Sequence, residues 1–308
     1  MSSTDKITVV EVGPRDGFQP IGPFIPTETK IALIEELYKA GIRRMEATAF
    51  VSAKAVPQMA DAVDILTACN RFGDLDVQVL VPSARYADQA LAAGAMHLSF
   101  VLSVSEKHNM NNVRRTTADS LAEFAQTAKA LPSDTKIRLN LATSFDCPFD
   151  GAVSPQRVLE VVEGLAAASA NAEIALCDTT GRTTPDAVSY LCREVLTRFP
   201  GRNWAFHGHD TYGLGAANVL AAIDAGFTVV DASFGGLGGC PFAPGATGNV
   251  ATEDVVWTLH KMGIDTGISL EALLDASVQA AALPGASAGG RVRAALRGAQ
   301  PCAGMEVA

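Results

Sequence analysis

Two histidines separated by one glycine form the stretch whose spacing most directly suggests chemistry. His207 and His209 lie in a His-Gly-His-Asp segment, at the end of an apolar run that predicts a β-strand. Because side chains alternate between the faces of a strand, both imidazoles point the same way, about 7 Å apart. Two such imidazoles can bind one cation, although a His-x-His pair is more often packed in a core or exposed to solvent. A metal site therefore requires further ligands that reach the same place.

Two oxygen-bearing residues complete a ligand set. Asp16 follows the first predicted strand, which lies nearly beside the seventh if the strands close into a ring. Asn249 follows a glycine-rich segment and could add a neutral amide oxygen. Two nitrogens, a carboxylate and an amide oxygen leave about two octahedral positions open for a substrate. This set favours Mg²⁺ or Mn²⁺, and Zn²⁺ is also compatible.

The elements that must position these residues follow a regular alternation. Strands are predicted at residues 7–12, 44–50, 77–81, 98–103, 136–142, 173–177, 203–207 and 228–233. Helices are predicted near 28–40, 57–69, 84–93, 117–130, 155–169, 184–198, 215–225 and 252–262. Eight strand–helix units in about 260 residues predict an α/β fold, a TIM (β/α)8 barrel. A doubly wound open sheet is the alternative, but no glycine-rich dinucleotide loop follows the first strand.

The end of the chain carries two more helical patterns, near residues 269–281 and 290–298. We therefore expect a barrel catalytic domain at 1–266 and a C-terminal helical extension at 267–308, packed on the barrel. Gly41, Gly94 and Gly226 stand where predicted helices should end.

Polar and ionisable residues recur at one end of most predicted strands, and the opposite loops lack that concentration. They include Arg15, Asp16, Gln19, Glu46, Asn109, Asp178, Thr179, His207 and His209. The eighth strand opens into a glycine-rich loop, 235–239, followed by Cys240. In a (β/α)8 barrel, catalytic groups cluster at the carboxyl ends of the strands, so this asymmetry predicts an active site there.

Each of these residues also has a structural alternative. Arg15 and Asp16 could form a buried ion pair that closes one barrel end, and Glu46 could pair with a lysine or arginine. The glycines could form a plain flexible loop, and Cys240 could be packed and inert. A glycine-rich loop with a cysteine at the mouth of a barrel is nevertheless typical of a mobile lid that bears a reactive thiol.

Composition limits the partners and the compartment. The 308 residues carry a net charge of −9 and include no block of lysines or arginines, so nucleic acid or an anionic membrane is not expected as a partner. No apolar run reaches membrane-spanning length, and the first residues show neither a signal core nor an Arg-rich transit pattern. Six scattered cysteines predict free thiols, so we expect a cytoplasmic protein.

Several segments resemble the 3-hydroxy-3-methylglutaryl-CoA lyases. They are Gly-Pro-Arg-Asp-Gly-Phe-Gln at 13–19, Glu-Ala-Thr-Ala-Phe-Val-Ser at 46–52, Pro-Gln-Met at 57–59, and His-Gly-His-Asp-Thr-Tyr-Gly at 207–213. The segment from Gly238 through Cys240-Pro241 to Gly248-Asn249 matches the lyase branch of the barrel metallolyases, a group that also holds isopropylmalate and homocitrate synthases. The resemblance covers nearly the whole chain.

This resemblance implies a divalent-metal-dependent enzyme that cleaves 3-hydroxy-3-methylglutaryl-CoA (HMG-CoA), or a related 3-hydroxyacyl-CoA, to acetyl-CoA and a keto acid. For HMG-CoA the keto acid is acetoacetate, as in leucine degradation and ketone-body formation. The implied metal ligands are Asp16, His207, His209 and Asn249. Arg15 would face the thioester carbonyl and Cys240 would be an acid/base on a mobile loop. The residues that would orient substrate and proton transfer are Gln19, Glu46, Asn109, Asp178 and Thr179. A homodimer is common in the family.

The chain departs from the family pattern in the predicted acyl pocket. Ala49 and Ala175 stand where the family usually has serines, near the distal carboxylate of the acyl group, and Pro20-Ile21-Gly22 replaces an Asn-Glu-Lys type of segment. The change of His-Cys-His to His207-Gly208-His209 should matter little. Losing two hydroxyls makes the pocket less polar, so the preferred acyl group is expected to differ from hydroxymethylglutaryl.

Two other classes of function compete with the lyase. A related condensing synthase or a pyruvate-releasing aldolase could use the same barrel, but known synthases carry a longer C-terminal domain. A metal-binding scaffold or sensor without turnover would not need the complete set of Arg15, Asp16, Cys240 and the His pair. Release of acetyl-CoA with and without EDTA separates these classes.

Overall fold

A computed structural model of the chain describes residues 6–239 and 248–297. Its strands are β1 (Thr8–Glu11), β2 (Arg44–Ala49), β3 (Asp76–Leu80), β4 (His97–Ser103), β5 (Lys136–Ala142), β6 (Asp146–Cys147), β7 (Gly151–Ala152), β8 (Glu173–Asp178), β9 (Trp204–Gly208) and β10 (Val229–Ala232). Its helices are α1 (Thr27–Lys39), α2 (Ala62–Cys69), α3 (Ala84–Ala92), α4 (Glu106–Val113), α5 (Thr117–Ala130), α6 (Pro155–Ala168), α7 (Pro185–Arg198), α8 (Gly215–Ala225), α9 (Thr252–Lys261), α10 (Leu270–Ala281) and α11 (Arg291–Arg297).

Eight parallel strands close into a barrel in the order β1-β10-β9-β8-β5-β4-β3-β2. The (β/α)8 barrel is therefore confirmed and the open sheet is not formed. Closure places β1 beside β10, which in turn pairs with β9. The turn after β1 and the His pair at the end of β9 therefore meet at one mouth, as the sequence predicts.

Left-handed glycines help to set the ends of helices. Gly41 and Gly226 follow α1 and α8 with φ values of 106° and 117°, a region that side chains disfavour. A Cβ at Gly41 would also lie only 2.3 Å from the carbonyl oxygen of Gly267. This close approach joins the end of α1 to the segment before α10.

Sequence patterns did not predict α4 or the β6–β7 hairpin. The α4 sequence is polar and carries no clear apolar stripe, yet Ser105 caps the helix by accepting a hydrogen bond from His108 N at 3.2 Å. The hairpin has strands of only two residues each, too short for an alternating pattern to be visible. Both elements depend on local hydrogen bonds. Neither has the periodic spacing of apolar residues from which a helix or a strand can be predicted.

The barrel interior holds charged residues in place of the branched aliphatic layers that usually fill it. Arg44 on β2 donates two hydrogen bonds to Glu173 on β8, at 2.9 and 2.6 Å. Arg138 on β5 donates to Glu173 at 3.2 Å and to Asp231 on β10 at 2.5 Å. Because β2 is not a neighbour of β8, and β10 is not a neighbour of β5, the Arg44–Glu173 and Arg138–Asp231 bonds cross the interior. Each buried charge has an opposite partner, as burial in low dielectric requires.

The C-terminal part packs on the barrel. Leu273 and Ala276 of α10 are buried in the main core, and Gly289 N donates to Gly235 O at 2.8 Å. The division of the chain at 266/267 stays a prediction. Over the described ranges, the structure contains no helix with the length and apolarity needed to cross a bilayer.

Candidate metal centre

A tight turn presents Arg15 and Asp16 at the carboxyl end of β1. The turn spans Gly13–Gly17, and the backbone N–H groups of Arg15, Asp16 and Gly17 all approach Val12 O. A Cβ on Gly13 would lie 2.3 Å from the Phe234 ring, so only glycine allows the turn to pack this closely. Within this segment, Gly13 is thus required for packing, and Arg15 and Asp16 carry the groups that can do chemistry.

Three of the predicted ligands converge. Asp16, His207 and His209 each offer a ligand atom, and these atoms all lie within 4.8 Å of one another. The two imidazole centroids are 5.2 Å apart. The structure thus brings together a carboxylate and two imidazoles, a donor set suited to a divalent cation.

Asn249 reaches the same place. Its backbone pairs with that of His209 in an isolated bridge, and its Nδ2 donates to Asp16 Oδ2 at 2.8 Å. Its Oδ1 is buried without a hydrogen-bond partner among residues 6–239 and 248–297. A buried amide oxygen normally has a partner, so a cation bound beside Asp16 would satisfy this atom. The residues present therefore fit the implied divalent metal.

The charge states of Asp16 and His209 favour metal binding. Burial alone would raise the pKa of the Asp16 carboxyl, but the Arg15 guanidinium and the two imidazoles outweigh it and hold that pKa well below its usual range. Burial and the neighbouring His207 lower the pKa of His209 to about 4. An ionised carboxylate and a neutral imidazole are the forms that bind metal.

Arg15 links this cluster to Glu46. It forms ion pairs with Asp16 and with Glu46, and its Nε donates to Glu46 Oε2 at 2.5 Å. The ion pairs that the sequence allowed as structural alternatives are therefore present. Glu46 Oε1 has no partner in the part of the chain that the structure describes, so one carboxylate oxygen is left over for a further role.

Asp178 and Thr179 lie beside the His pair. Asp178 pairs with Gly208 across β8 and β9, and its Oδ1 accepts from Gly181 N at 3.0 Å. Burial raises the pKa of Asp178 to about 6, despite backbone hydrogen bonds that lower it. Thr179 Oγ1 accepts from Thr143 N at 2.8 Å, so its hydroxyl is partly committed to the neighbouring strand end.

The other predicted site residues differ in accessibility. Gln19 is exposed at the end of the β1 turn. Asn109 is fully buried and its amide is bonded to the backbone at Ser103 and to three acceptors at residues 115–120. The structure does not bring Asn109 into the cluster, because its amide holds the chain around α4. Cys240 lies outside the described residues.

Two buried acids were missed by the sequence reasoning. Asp231 on β10 lies 3.0 Å from His207 Nδ1, and it is the one charged residue of an otherwise apolar strand segment, which is a usable signal. Glu11 on β1 accepts hydrogen bonds from Gly13 N, Phe234 N and Thr252 Oγ1 at 2.8, 3.0 and 2.7 Å. Glu11 thereby connects the turn that carries Asp16, the segment that follows β10 and the start of α9.

Comparison with known proteins agrees with this geometry. A family model described as HMGL-like matches residues 6–279. A mitochondrial hydroxymethylglutaryl-CoA lyase of Mus musculus is 42% identical over 272 residues, 88% of this chain and 83% of that protein. A hydroxymethylglutaryl-CoA lyase of Bacillus subtilis is 39% identical over 273 residues, 88% of this chain and 91% of that protein.

A solved structure is also similar. The HMG-CoA lyase of Acinetobacter baumannii, in complex with coenzyme A and 3-methylmalate, superposes with a TM-score of 0.89 at 38% identity and covers 100% of this chain and 99% of that one.

Proposed function

This chain belongs to the HMGL-like family, and on that premise we propose that it is a divalent-metal-dependent carbon–carbon lyase. The proposed substrate is HMG-CoA or a related 3-hydroxyacyl-CoA, which is cleaved to acetyl-CoA and a keto acid. The observation that carries the proposal is the convergence of Asp16, His207 and His209 at the barrel mouth, beside Arg15.

The reaction is a retro-Claisen cleavage. The substrate hydroxyl loses a proton, the C2–C3 bond breaks, and the departing thioester enolate takes up a proton to give acetyl-CoA. A divalent ion held by Asp16, His207, His209 and Asn249 would lower the pKa of the substrate hydroxyl. We propose Mg²⁺ or Mn²⁺, because the carboxylate and amide oxygens suit these ions, and Zn²⁺ is compatible with the two imidazoles.

Arg15 is suited to the enolate. Its guanidinium is a permanent cation, and Glu46 and Asp16 hold it in a fixed orientation. A preorganised cation at the thioester oxygen stabilises the charge that develops as the bond breaks. The buried Glu46 carboxylate accepts a hydrogen bond from Nε. It therefore fixes the direction in which the two terminal nitrogens of the guanidinium point.

Proton transfer needs a group that can both donate and accept. We propose that Cys240 supplies this group from the glycine-rich loop, with Asp178 and Glu46 orienting substrate and proton transfer. The amide of Asn249 also donates to Leu237 O at 3.1 Å, so this predicted ligand contacts the glycine-rich loop that precedes Cys240 in the sequence. Gln19 and Thr179 are proposed to contact substrate at the same mouth.

The test is acetyl-CoA release from HMG-CoA by the purified full chain, with and without EDTA. We expect release that EDTA abolishes and that added Mg²⁺ or Mn²⁺ restores. Metal binding without acetyl-CoA release from any 3-hydroxyacyl-CoA would favour a scaffold or sensor. Release of pyruvate from a 4-hydroxy-2-oxo acid, with no acetyl-CoA release from HMG-CoA, would favour an aldolase instead.

The identity of the acyl group is a separate proposal. Ala175 is fully buried, pairs with Asn140 and Ala205, and forms a small apolar cluster with Cys177. Ala49, the last residue of β2, is also buried and pairs with Leu80. We propose that this less polar surface accepts an acyl group whose distal end is longer, or lacks the carboxylate of hydroxymethylglutaryl.

Measuring kcat/KM for HMG-CoA and for analogues with apolar distal groups tests the acyl proposal. Restoring a hydroxyl with Ala175→Ser should shift preference toward HMG-CoA by about 10–100-fold, since a hydrogen bond to a charge contributes roughly 1.5–3 kcal/mol. Ala222→Ser, at another fully buried alanine that lies in α8 and outside this cluster, is the matched control. Strong selectivity of the wild-type chain for HMG-CoA would refute the altered pocket.

The assembly and the compartment also stay proposals. A homodimer and a cytoplasmic location agree with the family resemblance, and curated relatives include both mitochondrial and cytoplasmic lyases.

A further inference from the structure

His207 is tied to the barrel interior through its second ring nitrogen. His207 and Asp231 pair directly across β9 and β10, and His207 Nδ1 lies 3.0 Å from Asp231 Oδ2. A carboxylate only accepts hydrogen bonds, so the imidazole donates from Nδ1. That assignment leaves the lone pair of Nε2 as the one available to a cation.

Asp231 is itself held in place. The same Oδ2 accepts from Arg138 at 2.5 Å, and Arg138 is almost completely buried. Arg138 also donates to Glu173 at 3.2 Å and, through Nε, to Asn140 at 2.9 Å. With Arg138 fixed by three strands, Asp231 has little freedom to turn away from His207.

We propose that Asp231 is a positioning residue of the metal centre, which fixes the tautomer and ring orientation of His207, and that Arg138 locks Asp231 in turn. The contacts from Arg138 to Asp231 and from Asp231 to His207 thereby link the ion pairs of the barrel interior to the metal centre. Partners of this kind tune metal affinity without touching the metal. The inference rests on the proposed metal centre.

The chain supplies a matched control inside the same barrel. Asp76 Oδ1 lies 2.9 Å from His97 Nδ1, and both residues are at the amino ends of their strands, β3 and β4. Asp76 also pairs with Lys136 at 3.1 Å. This pair repeats the Asp–His–cation arrangement at the end of the barrel opposite the predicted ligands.

The test compares Asp231→Asn with Asp76→Asn by calorimetric titration of Mn²⁺ into the metal-free full chain. An asparagine can turn its NH₂ toward Nδ1, which favours the tautomer with the proton on Nε2 and blocks that ligand atom. We expect Asp231→Asn to weaken Mn²⁺ binding about 10–100-fold. We expect Asp76→Asn to change it less than about twofold, at a comparable loss of thermal stability.

Equal Mn²⁺ affinity in both variants would overturn the proposal. If Asp231→Asn does not fold, ¹⁵N chemical shifts of the imidazoles in the wild-type chain decide the question. At a pH where the His207 ring of the metal-free protein is neutral, a proton on Nδ1, with Nε2 shifting on addition of Mn²⁺, supports the proposal, and a proton on Nε2 overturns it. A wild-type chain that binds no Mn²⁺ would instead reject the metal centre itself.

Discussion

The side-chain amide of Asn249 donates to Asp16 Oδ2 at 2.8 Å, although 233 positions separate the two residues in the chain. The same Nδ2 also donates to Leu237 O at 3.1 Å. The amide oxygen at the other end has no partner within the described residues. Asn249 can therefore offer its oxygen to a cation while its nitrogen holds both the β1 turn and the segment that leads to Cys240.

Asn249→Ala should lower metal affinity, because it removes one ligand oxygen and the hydrogen bond that orients another. We expect Mn²⁺ binding to weaken at least tenfold, and Asp16→Asn to weaken it further because the charged ligand is lost. Calorimetric titration and the metal content of the purified chain measure both effects. Unchanged occupancy in either variant would reject that residue as a ligand.

Asn218→Ala is the matched control for this loss. Asn218 is also a fully buried asparagine whose Nδ2 donates to a backbone oxygen, that of Thr183, at 3.0 Å, and whose Oδ1 has no described partner. It lies in α8, outside the group of Asp16, His207 and His209. We expect this variant to lose stability and to bind Mn²⁺ as the wild-type chain does.

Arg15→Lys should separate charge from geometry. Lysine keeps the positive charge beside Asp16 but loses the planar fork that Glu46 orients. We expect kcat to fall about 10²–10³-fold, the usual effect of losing one preorganised donor at a developing oxyanion. Mn²⁺ occupancy should stay within a few-fold of wild type. A kcat within threefold of wild type would show that Arg15 serves only as a structural ion pair.

Much of the site follows from the sequence because its ligands lie at the ends of regular elements. The His-x-His spacing on a strand fixes a shared face, and eight strand–helix units predict that β1 and β9 come close together. Asp16, His207, His209 and Asn249 could be assembled from these two facts and the barrel rule.

The supporting residues could not be predicted in the same way. Asp231 is bonded to Arg138 across the barrel interior, and Glu11 to Thr252, a pairing between residues 241 positions apart. No spacing rule encodes which buried charges meet inside a closed ring. Asn109 is a different case: its place after a strand predicts a substrate contact, whereas its buried amide is hydrogen-bonded to the backbone around α4, which no sequence spacing indicates.

Cys240→Ser tests the proposed acid/base. A hydroxyl is a much weaker acid than a thiol, so proton transfer to the enolate should slow while the metal ligands are untouched. We expect a fall in kcat of about 10²-fold or more, with wild-type metal content, measured by acetyl-CoA release and metal analysis of the same preparation. Turnover at the wild-type rate would show that the thiol assignment is wrong.

Glu11→Gln should change how stability depends on pH. Burial raises the pKa of Glu11 to about 8, although hydrogen bonds from Thr252, Phe234 and Gly13 lower it. The folded chain therefore keeps this carboxyl protonated while the unfolded chain ionises it near its ordinary pKa. The stabilisation is complete at low pH, and it is lost progressively as pH rises through about 8. Glutamine cannot ionise, and its oxygen can still accept from Gly13 N and Phe234 N.

Urea denaturation between pH 5 and pH 9 measures this difference. The free energy of unfolding of the wild-type chain should decline over that range. That of Glu11→Gln should decline less, so the stability of the variant relative to wild type should increase as pH rises. Glu253 contributes a separate part of the decline, because burial raises its pKa to about 7. The double variant with Glu253→Gln should therefore show the flattest profile. If the free energy of unfolding of Glu11→Gln declined as steeply with pH as that of wild type, Glu11 would not be neutral in the folded chain.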